Sequence, residues 1–264
     1  MAPTGVHGLL GLLIASKLDR KHSYTRMGLV TGSVMPDLDL LGSVLIFIMT
    51  ADTELTLAFH RSVTHSLIVI GLILLIGFLG NLKYESVSSI YFPFILGFVV
   101  GVLLHITLDL IYFDGVTLFW PLQPLDDRIY ILPFTYNDLS PNYNSLSAKI
   151  IGTIDGHAEL LFYIVFAYLA NRYHTNQEIT LGWSSRRFKI YNWPKKLTWF
   201  SIFLIFEMLF FLGLAIFSIT WPSLDRDAFF ILLYIPLTPV YLLSGLLPLI
   251  MRETIFHLGT DKGQ

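Results

Sequence analysis

HRSVTHSLIVIGLILLIGFLG, residues 60–80, sets two histidines and an arginine directly ahead of an uninterrupted apolar run. Such a run is suited to a hydrocarbon environment, whereas imidazole and guanidinium groups are expensive there and need partners or a polar cavity. The stretch therefore poses two questions together: whether the chain is a membrane protein, and what holds polar groups at the mouth of its helices.

Working outward, the rest of the chain answers the first question. Of 264 residues, 54% are hydrophobic and 14% charged, and the mean hydropathy is +0.65. These values place the chain among integral membrane proteins. Segments near 3–17, 27–49, 62–81, 91–113, 149–170, 197–221 and 228–250 are apolar enough to be embedded. The expected fold is all-α: a multi-pass bundle of about seven membrane-embedded helices. No Gly/Ser- or Pro-rich linker divides it, so 1–264 reads as one membrane domain, with 1–160 as a polar, site-bearing half and 161–264 as scaffold. The first fifteen residues lack a basic n-region and a small-residue cleavage site, so Gly5–Ala15 is expected to belong to the mature fold.

Lysine and arginine concentrate in 17–26 (KLDRKHSYTR) and 171–196. If each segment crosses once, these loops share the cytoplasmic side of the plasma membrane, with the N-terminus outside and the C-terminus inside. The connections 50–61, 114–148 and 222–227 then face outward. The longest, 114–148, is rich in aromatics and proline; it reads either as a cap over a site or as an interfacial segment. A net charge of -2 argues against a nucleic-acid partner. With no cysteine, any metal must be held by His, Asp or Glu.

Several polar elements stand out within the apolar segments. In HITLD, His105 and Asp109 are four apart on one helix face, and Gly97 and Gly101 continue that stripe as G-x3-G-x3-H-x3-D. Small residues there permit a neighbouring backbone to approach and bring ligands with it; a simple His–Asp hydrogen bond is the alternative. In VMPDLDL, Pro36 breaks the second segment and releases Asp37 and Asp39, either as ligands or as helix caps. His60 and His65 flank Arg61 at the third segment, with Ser62 and Thr64 available as caps. Arg61 suits an anionic substrate's oxygens or snorkelling to the interface. His7 lies among Gly5, Gly8 and Gly11. In TIDGHAE, Asp155, His157 and Glu159 alternate, and a spacing of two allows one or two of them to face inward. Glu207 stands apart as a packing or gating group.

On the assigned orientation, His7, Asp37, Asp39, His60, His65, His105, Asp109 and His157 all fall near the outer face. Imidazoles and carboxylates without thiols suit one or two divalent ions such as Zn, Mn or Fe. Two such ions can share a carboxylate and activate water against a phosphoester.

The order H…PDxD…HRxxTHS…HxxxD…WP, carried by His7, Pro36–Asp39, His60-Arg61, Thr64–Ser66, His105, Asp109 and Trp120-Pro121, resembles the YdjM-like family of membrane-bound metal-dependent hydrolases. More remotely it is similar to zinc-dependent phospholipase C and the single-strand nucleases of that fold. The resemblance covers about the first half of the chain. It implies metal ligation, most simply of zinc, by His7, Asp37, His60, His105 and Asp109, with Asp39 and His65 as further candidates. The phospholipases finish with later paired ligands at helical spacing, and here only Asp155, His157 and Glu159 are available, at a different spacing. The functional expectation is hydrolysis of a phosphoester, in a lipid head group or small molecule. In that reading Arg61 binds substrate, and Asp39 or His65 serves as acid or base. The rival reading is a metal-ion or proton-coupled transporter, which needs a polar path continuing inward; a metal that only staples helices is a third.

Overall fold

A computed structural model describes residues 4–52, 55, 56, 59, 60, 62–83, 85–111, 115–125, 127–129, 131, 146–173, 178–181, 188–191, 193–220, 226–250 and 252–257. Helix α1 is Thr4–Ala15. After a 3-10 turn at Arg20–His22 come α2 (Ser23–Val34), a second 3-10 turn (Met35–Asp39) and α3 (Leu40–Thr50). There follow α4 (Leu67–Lys83), α5 (Glu85–Ile111), α6 (Leu146–Gly156), α7 (Glu159–Tyr173), α8 (Trp193–Phe217), α9 (Arg226–Ile250) and α10 (Arg252–His257).

Every apolar segment read from the sequence is helical, but their lengths differ. Ser23–Thr50, Ser89–Ile111, Lys149–Arg172 and Lys195–Phe217 are long and apolar enough to cross a membrane, whereas Thr4–Ala15, Leu67–Lys83 and Pro236–Ile250 are shorter. The large apolar side chains Ile48 (73% exposed), Ile76 (69%) and Phe206 (67%) point out of the bundle on three different helices, as lipid-facing residues do. Among the described residues, one pair of strands departs from the all-helical expectation. Glu178–Leu181 pairs antiparallel with Phe188–Tyr191 within the basic connection 171–196.

Two kinds of packing organise the bundle. Where α2 crosses α5, four glycines remove the side chains between the backbones. A methyl on Gly97 or Gly101 would overlap the carbonyl of Thr25 or Leu29, and one on Gly28 or Gly32 would overlap that of Phe94 or Phe98. Helices in lipid associate through such close van der Waals contact, because burial of apolar surface gives little drive there. Elsewhere bulky side chains fill the space: Leu12 of α1, Val30 of α2, Phe162 and Phe166 of α7, Leu204 of α8 and Leu233 of α9 form one buried cluster. Gly5 and Gly8 let α1 sit directly on Phe162, and Gly11 lets it sit on Ser33.

Candidate metal centre

Pro36 ends α2 as expected. The chain tightens into a 3-10 turn, and both Asp37 and Asp39 are buried there. Asp39 occupies the N-cap position of α3 without capping it by its side chain; the carboxylate turns instead toward the histidines of residues 60–66. His65 lies just before α4, and His105 and Asp109 lie one turn apart at the end of α5. The glycine seam draws α5 against α2 and brings the PDLD turn alongside.

The result is a buried group of Asp37, His65, His105 and Asp109, each offering one ligand atom, with these atoms all within 4.8 Å of one another. His65 Nε2 is 3.0 Å from His105 Nε2 and 3.1 Å from Asp109 Oδ2. His105 Nε2 is 3.3 Å from Asp37 Oδ1 and 3.5 Å from Asp109 Oδ2. Donors on a tetrahedral ion at zinc–nitrogen distances stand roughly 3.3 Å apart, so these separations fit a shared cation.

The hydrogen bonds around the group sharpen this fit. His105 Nδ1 donates to the Ser33 carbonyl at 2.8 Å, leaving the lone pair of a neutral ring on Nε2. The Thr64 hydroxyl donates to Asp39 Oδ2 at 2.7 Å, so its oxygen, 2.9 Å from His65 Nδ1, accepts from that ring. His65 Nε2 then also presents a lone pair. Two such nitrogens face each other beside two carboxylates, an arrangement that calls for positive charge between them, either a metal ion or a proton on one of the rings. Outer partners that fix a histidine's tautomer in this way are a regular feature of metal sites.

The remaining predicted residues take distinct places. His7 stacks on His105 with ring centroids 3.7 Å apart, and its Nε2 is 3.4 Å from Asp109 Oδ1; neither ring nitrogen has a hydrogen-bond partner among the described residues. His60 is not among the four. Its Nδ1 lies 2.6 Å from Asp39 Oδ1, while its buried Nε2 has no hydrogen-bond partner among the described residues. Asp37 and Asp39, each 8% exposed, and His60, 6% exposed, keep slight contact with the outside, whereas His65, His105 and Asp109 keep none. The least buried, and so most open, edge of the centre is therefore the side of the PDLD turn. Arg61 lies outside the described residues.

His157 donates through Nδ1 to the Thr153 carbonyl at 2.8 Å and sits near Phe211 of α8, away from the four. Asp155 is half-buried. Glu159 is fully buried and accepts from the Gly5 amide at 2.8 Å. The Glu207 carboxyl oxygens are buried without hydrogen-bond partners among the described residues. Capping of α4 falls to Ser66, whose hydroxyl oxygen accepts from the Ile68 amide at 3.2 Å, rather than to Ser62 or Thr64. The described part of 114–148 is fastened beside the centre: Ser66 Oγ donates to the Trp120 carbonyl at 2.6 Å, and the Ile131 amide donates to the Leu110 carbonyl at 2.7 Å. Sequence reasoning missed the Ser33 carbonyl, which no side-chain pattern marks. It also gave Thr64 a capping role, although its place in THS, next to His65, was the available signal.

Searches of curated proteins and of solved structures find no match. Residues 1–179 match YdjM inner membrane protein, a stretch that contains all four grouped residues and His7, and the chain belongs to the YdjM inner membrane protein family.

Proposed function

We propose that the chain is a membrane-bound metal-dependent hydrolase that cleaves a phosphoester, in a lipid head group or a small molecule reaching the centre from the bilayer surface. The observation that carries this reading is the set of four buried donor atoms within 4.8 Å of one another, held by α5, the PDLD turn and His65 just ahead of α4. A divalent ion there supplies Lewis acidity and a water of lowered pKa.

The chain's own residues divide the remaining tasks. Asp37, His65, His105 and Asp109 hold the ion, with His7 at the edge of the set. Asp39 orients His60 through Nδ1, so that Nε2 is the atom at which a proton is taken from water and later returned to the leaving oxygen. Arg61 follows His60 directly and binds a phosphate oxygen. Substrate enters along the open edge at Asp37, Asp39 and His60, on the outer side of the plasma membrane. The remote resemblance of the motif order to zinc-dependent phospholipase C, read from the sequence alone, is the ground for proposing a phosphoester substrate and zinc as the ion.

Transport finds less support. Inward from His105 the polar stripe becomes Gly101 and Gly97, whose faces are closed by the α2 backbone. The test is metal analysis of the purified protein followed by a screen of lipid and nucleotide phosphoesters. His105→Ala and Asp109→Ala should each lose the metal and turnover; hydrolysis retained in either variant rejects the centre.

A further inference from the structure

The helix that brings His7 to the centre has its own fastening, and that fastening lies in the other half of the chain. Glu159, at the start of α7, is completely buried. Its Oε1 accepts from the Gly5 amide at 2.8 Å, in the first turn of α1, where backbone N–H groups have no partner within the helix. Its Oε2 accepts from the Ser244 hydroxyl of α9 at 2.6 Å. Ser244 Oγ is 3.2 Å from the Tyr163 hydroxyl, which donates to the Val240 carbonyl at 2.8 Å. One residue before Gly5, the Thr4 hydroxyl donates to Asp37 Oδ2 at 2.7 Å. Two residues after it, His7 stacks on His105.

From this we infer that Glu159 is a positioning residue for the metal centre. It pins the first turn of α1 to α7 and α9, so that Thr4 orients the Asp37 carboxylate and His7 lies against His105 and Asp109. Ser244 lies beyond the family-matched residues 1–179, so part of the centre's support comes from a region outside the match. The inference rests on the metal-binding reading above.

What the role requires is reach and hydrogen bonding, since both oxygens are used as acceptors at fixed distances. Glu159→Gln keeps the reach: its amide oxygen accepts from Gly5, and its amide nitrogen can donate to the Ser244 oxygen. Glu159→Asp keeps the charge but withdraws the carboxylate by one methylene. In full-length protein purified in detergent, Zn(II) affinity by chelator competition and the visible spectrum of the Co(II)-loaded form separate the two. Glu159→Asp should weaken zinc by about tenfold and alter the cobalt bands, Ser244→Ala should weaken it by about threefold, and Glu159→Gln should stay within about threefold of wild type.

Thermal midpoints of the metal-free proteins separate positioning from mere support. If Glu159→Asp and Ser244→Ala lower the midpoint but keep wild-type zinc affinity and cobalt spectrum, Glu159 only holds helices together and the inference fails while the metal centre stands. A Gln variant as weak as the Asp variant also overturns it, because charge rather than reach would then decide. A wild-type protein that binds neither Zn(II) nor Co(II) removes both the inference and the reading beneath it.

Discussion

Gly101 tests how the fold makes the centre, because it is not a ligand and yet lies one turn before His105 on the same face. A Cβ placed there would stand 2.8 Å from the Ser33 amide nitrogen and closer still to the Leu29 carbonyl oxygen, and real Cβ atoms essentially never approach within 3.0 Å. Both neighbours are backbone, so no side chain can swing aside; α2 and α5 must part by roughly 1 Å, at a cost of about 1–3 kcal/mol. The same displacement acts on the 2.8 Å bond from His105 to the Ser33 carbonyl and on the separation of His105 from the PDLD turn. Metal–ligand distances tolerate only about ±0.2 Å, so Gly101→Ala should weaken zinc by about 10- to 100-fold. Chelator competition on detergent-purified protein reads this, and circular dichroism checks that the helices persist. Gly71→Ala is the matched control, since nothing lies within 4 Å of a Cβ at that position. Wild-type affinity in Gly101→Ala, or equal loss in Gly71→Ala, would refute the claim that the glycine seam sets the ligand geometry.

Other consequences follow from the same contacts. Thr64→Val removes the hydroxyl that joins Asp39 to His65 and should reduce zinc affinity by about tenfold with unchanged helicity; an unchanged affinity would mean that Thr64 does not fix the His65 tautomer. Because imidazoles must be deprotonated to ligate, zinc affinity should fall steadily as pH is lowered from about 8 to about 5. A flat profile over that range would exclude histidine ligation. Phe162→Ala opens a cavity beneath α1 in the main core cluster and should lower stability by about 3 kcal/mol in reversible unfolding, and a loss below about 1 kcal/mol would contradict the packing of α1 on α7.

The parts of this architecture that were legible in the sequence are those governed by local rules. Apolar run length marked the long helices but neither α10 nor the break between α6 and α7, Pro36 marked the break in the second segment, and the four-residue spacing of Gly97, Gly101, His105 and Asp109 marked both the seam and the candidate ligand pair. What stayed hidden depends on contacts between distant positions or on backbone atoms. The five-residue spacing of His60 and His65 fits no single helix face, so only the fold shows His60 turned onto Asp39. Run length alone also does not separate the helices long enough to cross a membrane from α1 and α4, which are shorter. The paired strands Glu178–Leu181 and Phe188–Tyr191 lie in a basic stretch of sequence whose alternation is too brief to announce strands.

A carboxyl group buried among apolar helices needs partners, and Glu159 finds them in Gly5, 154 residues away in sequence, and in Ser244, 85 residues away. Periodicity cannot register a hydrogen bond at that separation, and an isolated serine in an apolar helix looks like an ordinary tolerated polar residue. The intramembrane carboxyl itself was the usable sign. Among the groups singled out in the sequence, Asp109 meets His65 and His105, Asp39 meets His60, and Glu159 meets the first turn of α1. Glu207 finds no hydrogen-bond partner among the described residues, but tracing Asp37, Asp39, Asp109 and Glu159 to theirs leads to the candidate ligands and to the helix ends beside them.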